Sequence, residues 1–83
     1  KSYVTYGFSD VEKACMLGAV ETLLITDLRL REASNEERIA MENLMRMAEE
    51  KGGRIVVVST EHEAGIKLQS LGGIAALLRF PIN

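Results

Sequence analysis

Leu23-Leu24-Ile25-Thr26-Asp27 is the stretch on which the reading of this 83-residue chain turns. It follows Gly18-Ala19-Val20-Glu21-Thr22 and is apolar on consecutive residues, not alternate ones. A strand of that kind needs cover on both faces, so it reads as a central strand between helices. Ile55-Val56-Val57-Val58 and Ile74-Ala75-Ala76-Leu77-Leu78 have the same character. Periodicity thus reaches a small α/β sandwich and says nothing about activity.

Working outward, Tyr3, Val4 and Tyr6 before Gly7 predict a first strand over residues 2–6. Ser9-Asp10-Val11-Glu12, Ser34-Asn35-Glu36-Glu37 and Thr60-Glu61-His62-Glu63 each have the Ser/Thr-x-x-Glu spacing of a capping box, predicting three helix starts. Gly18, Gly52-Gly53 and Gly72-Gly73 follow the three helical patterns and read as their stops. Met41, Leu44, Met45 and Ala48 form the core stripe of the longest helix, with Arg38, Glu42 and Arg46 on its solvated side. In the third helix the same spacing picks out Ala64, Leu68 and Leu71. Asp27-Leu28-Arg29-Leu30-Arg31 stays open between a loop and an extension of the strand. The last strand runs from Ile74 to about Phe80, where Pro81 ends ladder pairing. Strand–helix alternation through four strands predicts an α/β layered sheet with some parallel pairs.

A chain this short buries roughly 60–65% of its unfolded surface, enough for one modest core. Hydrophobic residues make up 47% and aromatics only 5%, so that core is aliphatic. Net charge is −2, and the ten basic residues are scattered from Lys1 to Arg79. Unaided binding to a phosphate backbone needs a clustered basic face, and none is visible. Apolar runs fall far short of the ~20 residues that span a bilayer, and the expected setting is cytoplasmic. The lone Cys15 reads as a small buried hydrophobe in a reducing compartment. A chain that begins at Lys1 is expected to have been cut from a longer protein.

Catalytic alphabets are thin. Glu61-His62-Glu63 has metal-ligand residue types, but neighbours on a helix point about 100° apart and no second histidine exists. The glycine pairs follow helices instead of opening them, so no phosphate loop is formed. No Ser-His-Asp set is in view. Ala76-Leu77-Leu78-Arg79-Phe80-Pro81-Ile82 stands apart, because it ends the sheet with an arginine beside an aromatic and an aliphatic, a mixture enriched at interfaces. Two readings remain open for it: a docking edge, or Phe80 and Ile82 completing the core while Arg79 faces water.

Tyr6-Gly7, residues 18–27, Glu61-His62-Glu63-Ala64-Gly65 and residues 71–82, taken together and in order, resemble the pelota C-terminal domain family, its archaeal members above all. The related class I peptide release factors usually carry an insertion before the long helix, for which residues 31–34 leave no room. The resemblance implies a four-stranded mixed sheet in an α/β/α sandwich, a fold related to kink-turn-binding ribosomal proteins. It also implies one part of a three-domain factor for ribosome rescue and mRNA surveillance. The implied partners are an elongation-factor-1-alpha-like translational GTPase, an ABC-type recycling ATPase and the ribosome. By the likeness to the related release factors Leu78, Arg79 and Phe80 carry over as partner-binding positions, and Pro81 and Ile82 complete the expected set. The domain is expected to be non-catalytic and to hold no cofactor. A divalent metal belongs with the endoribonuclease activity credited to the family's N-terminal domain. The alternatives are the C-terminal domain of an archaeal peptide chain release factor and a kink-turn-type RNA-binding module. For the latter, direct RNA contact stays open, because the helix starts carry Glu12, Glu37 and Glu63 where kink-turn binders are basic.

Overall fold

The computed structural model describes residues 3–82. Strand β1 (Val4–Tyr6) leads into helix α1 (Phe8–Met16), followed by β2 (Val20–Thr26), α2 (Asp27–Arg31), α3 (Asn35–Glu50), β3 (Arg54–Val58), α4 (Glu63–Ser70) and β4 (Ile74–Leu78). The Ser2 end of the expected first strand lies outside the described residues. The strands form one mixed sheet in the order β1-β4-β2-β3. The pair β2–β3 is parallel, and β4 lies antiparallel to both β1 and β2. The fold is the expected α/β/α sandwich, with β2 and β4 central.

Register separates the two faces. Leu23 pairs with Ala76 and Ile25 with Ile74, and these side chains are buried beneath α1 and α3. Helix α1 contributes Val11, Ala14 and Cys15, and α3 contributes Met41, Leu44 and Ala48. Together with Leu78 they make one aliphatic core. Leu24 pairs with Ala75 and Thr22 with Leu77 on the opposite face, where α4 is the cover.

All three stops at Gly18, Gly52 and Gly72 are Schellman motifs, each glycine having a positive φ. The amide after the glycine bonds back to the helix: Ala19 to Ala14, Gly53 to Ala48 and Gly73 to Leu68. The start signals fared less uniformly. Ser34 and Glu37 form the expected reciprocal box. Helix α1, however, begins two residues before the expected Ser9 cap, with Gly7 at the N-cap and no side-chain cap. Helix α4 begins after His62, and Thr60 does not cap it. Residues 27–31 are neither loop nor strand but a single helical turn, capped by the Thr26 hydroxyl, which accepts from the Arg29 amide.

The stripe expected on α4 is rotated. Gly65 and Leu68 are buried, whereas Ala64 and Leu71 are exposed. The reason is backbone approach: a Cβ on Gly65 would stand 1.8 Å from the Ser59 carbonyl oxygen, so only glycine lets α4 lie this close to the β3–α4 turn.

Candidate functional site

The terminal segment is built on the end of β4. The Leu78 amide donates to the Tyr3 carbonyl and the Arg79 amide to the Ala19 carbonyl, each at 2.7 Å. The Arg79 side chain then turns back across the sheet. Its Nε and Nη2 donate to the Val20 carbonyl at 3.2 and 3.0 Å, and Nη2 also donates to the Lys51 carbonyl at 2.9 Å. Helix α3 has no basic residue in its last turn, so this guanidinium supplies the positive charge that a helix C-terminus favours. Gly52 makes room for it, since a Cβ there would meet Nη2 at 3.3 Å.

The five candidate positions therefore separate by environment. Leu78 is in the core, and Ile82 is partly buried against it. Pro81 is half-buried, and Arg79 is spent on three hydrogen bonds to the backbone carbonyls of two other elements. Phe80 is 45% exposed, a large ring held in solvent by a braced backbone. Of the two open readings, the core one holds for Ile82 but not for Phe80, and Arg79, exposed to water, also bonds backbone carbonyls.

A second polar constellation sits at the carboxyl ends of the parallel strands. Asp27 Oδ1 accepts from the Leu28 amide at 2.7 Å, the Thr60 amide at 3.0 Å and the Thr60 hydroxyl at 2.9 Å. These bonds, the Thr60 hydroxyl foremost, hold the Asp27 carboxyl below its usual value. Behind it, buried Thr26 donates from its hydroxyl to Gln69 Oε1 and from its amide to the Gly73 carbonyl. The cluster locks α2, the β3–α4 turn and α4 together. Neither Asp27 nor Gln69 was marked by local pattern, and Thr60 was marked for a different task. The only local clue was the Thr26-Asp27 pair, which has the composition of a helix start.

Cys15 is buried, and burial, with the Glu12 charge adding, pushes its thiol up, away from the reactive thiolate. Glu61, His62 and Glu63 are all exposed. Among the described residues no three acidic, histidine or cysteine side chains converge as metal ligands.

A family model described as eRF1 domain 3 matches residues 1–82. The chain belongs to that family. Within it the similarity is to the pelota branch. A pelota homologue of Methanococcus maripaludis is 49% identical over the whole chain, which spans 23% of that relative. The chain thus covers about a quarter of the length of such relatives. Among solved structures, ribosome-bound archaeal Pelota with ABCE1 matches all of the chain and 22% of its own length, at 48% identity and a TM-score of 0.85. Saccharomyces cerevisiae Dom34, described as a translation termination-like factor of RNA quality control pathways that interacts with Hbs1, matches 99% of the chain and 23% of its own. Its identity is 36% and its TM-score 0.93.

Proposed function

We propose that this chain is the partner-docking domain of a ribosome rescue and mRNA surveillance factor, and that the terminal segment after β4 is its docking edge. In this reading Phe80 makes the contact. Leu78 and Ile82 anchor the segment from either side, Pro81 stiffens it, and Arg79 positions it by bracing Val20 and Lys51. The partners are an elongation-factor-1-alpha-like translational GTPase and an ABC-type recycling ATPase on a cytoplasmic ribosome. Support comes from family membership and from the company kept by relatives, Hbs1 for Dom34 and ABCE1 on the ribosome for archaeal Pelota.

The observation that carries the site is the exposed Phe80 ring on a backbone with little freedom left. An exposed aromatic whose neighbours Leu78 and Arg79 are tied to other elements loses less backbone freedom on binding, which suits a hot spot. Calorimetric titration of the chain with each of the two nucleotide-binding partners tests the proposal. Binding to one of them that tolerates added salt and weakens by about 2 kcal/mol in Phe80→Ala is expected. Heat absent with both partners would refute docking by this domain, and equal binding by Phe80→Ala would move the site elsewhere.

A further inference from the structure

The two faces of the sheet carry unequal cover. Four strands spaced about 4.8 Å apart make a surface roughly 19 Å wide, room for two helices about 10 Å across. Helices α1 and α3 fill one face, while among the described residues the other is covered by the eight residues of α4, with Leu28 of the short α2 against its far flank. Beside α4 lies a groove of about 400 Å³, floored by Val4, Leu24, Ala75 and Leu77 and edged by Tyr6 and Leu71. Tyr6 and Leu71 are 47% and 45% exposed, and Val56, which pairs with Leu24, extends the apolar strip. A contiguous apolar surface of this kind marks a place for a partner.

Charge says what kind of partner. Among the described residues, Lys67 is the only charged one lining the groove. Arg54 joins it on the same face, since it pairs with Thr22. Neither cationic head makes an ion pair or hydrogen bond among the described residues, although the chain as a whole is net negative. Helix α3, on the opposite face, is net acidic, with Glu36, Glu37, Glu42, Glu49 and Glu50 against Arg38 and Arg46.

We propose that this groove receives an amphipathic helix from a partner protein, laid beside α4 as the missing second helix of the layer. Its apolar stripe covers Tyr6, Leu24, Leu71 and Leu77, and acidic side chains on its flank meet Lys67 and Arg54. The groove shares no residue with the terminal segment, so this site and the Phe80 site succeed or fail separately.

The test uses a fluorescein-labelled, stapled helical peptide with leucines at i, i+3, i+4 and i+7 and glutamates on the flank. Saturable anisotropy is expected, with amide shifts of the isotope-labelled chain clustered on β1, β4 and α4. Leu71→Ser weakens binding about tenfold. Lys67→Glu weakens it about fivefold, and a lysine-flanked peptide reverses that preference. Ile66→Ser, more exposed than Leu71 but on the other flank of α4, leaves affinity unchanged. No saturable binding, equal binding by every variant, or shifts confined to α1 and α3 overturns the proposal. Self-association of the chain that Leu71→Ser abolishes would give the groove to a second copy and overturn it equally.

Discussion

Leu24 and Ile25 are neighbours in one strand, yet they live in different proteins as far as packing is concerned. Ile25 is sealed beneath two helices, whereas Leu24 is half-covered by one. The backbone treats them alike, and what differs is the number of helices the chain supplies to each face. A sheet face sealed by its own chain is spent on stability, and a face left half-open is available for recognition. Truncation at the two positions should measure that difference. Ile25→Ala is expected to lose about 3–4 kcal/mol in urea unfolding, and Leu24→Ala about 1 kcal/mol, because less area leaves water there and surrounding groups can relax. Equal losses would mean that the open face is as well packed as the sealed one.

Gly65→Ala probes how α4 is held on the open face at all. The added methyl meets the Ser59 carbonyl, which is backbone and cannot swing aside. A loss of about 3 kcal/mol is expected, together with displacement of α4 visible as widespread amide shifts in β4. A variant at wild-type stability would show that α4 can lift without consequence and that the groove width is not fixed.

The next effect is smaller and lies at the edge of the sealed layer. Arg79→Lys keeps the charge but loses the fork that spans Val20 and Lys51, and should cost about 1–2 kcal/mol in unfolding free energy. Fraying would appear at the last turn of α3, read by faster amide exchange at Lys51 and Gly52. Exchange unchanged there would deny the brace.

Much of the sealed layer was legible in sequence, because local rules and burial agree in it. Met41, Leu44 and Ala48 repeat at helical spacing, and the glycine stops follow from a backbone conformation that other residues rarely adopt. What was illegible depends on partners distant in the chain. Thr60 has the spacing of a cap, but Asp27, thirty-three positions earlier, takes its hydroxyl. Arg79 sits beside Phe80 in sequence, yet its guanidinium works on Val20, fifty-nine positions away. The stripe on α4 was read one notch round because Gly65 packs by having no side chain, which hydrophobic periodicity does not register. Residues 27–31 are one turn long, too short for a period to show.

Asp27 offers a titration of the polar lock between α2 and α4. Its carboxyl is held below the ordinary aspartate value, so its contribution is complete above about pH 4, where the unfolded chain is also ionised. That contribution is lost as pH falls through the lower folded value. Thermal midpoints of wild type and Asp27→Asn should therefore differ at neutral pH and converge below about pH 4, with Thr60→Val moving the wild-type inflection upward. Parallel curves down to low pH would mean that the folded state does not favour the charged carboxylate.

Phe80→Ala should have the smallest effect on the fold and the clearest effect on docking. The ring is half in solvent, and the backbone beneath it is held by Leu78, Arg79 and Ile82, so unfolding free energy should move by no more than about 0.5 kcal/mol. Binding to the proposed GTPase or ATPase partner should nevertheless fall steeply. Arg79→Ala would give the reverse balance, a measurable stability loss with binding lowered only as far as Phe80 is misplaced. If Phe80→Ala lowers stability and binding together, the ring belongs to the sealed side after all. If only Arg79→Ala weakens binding, the guanidinium is itself the contact, and its bonds to Val20 and Lys51 must be exchanged for bonds to the partner.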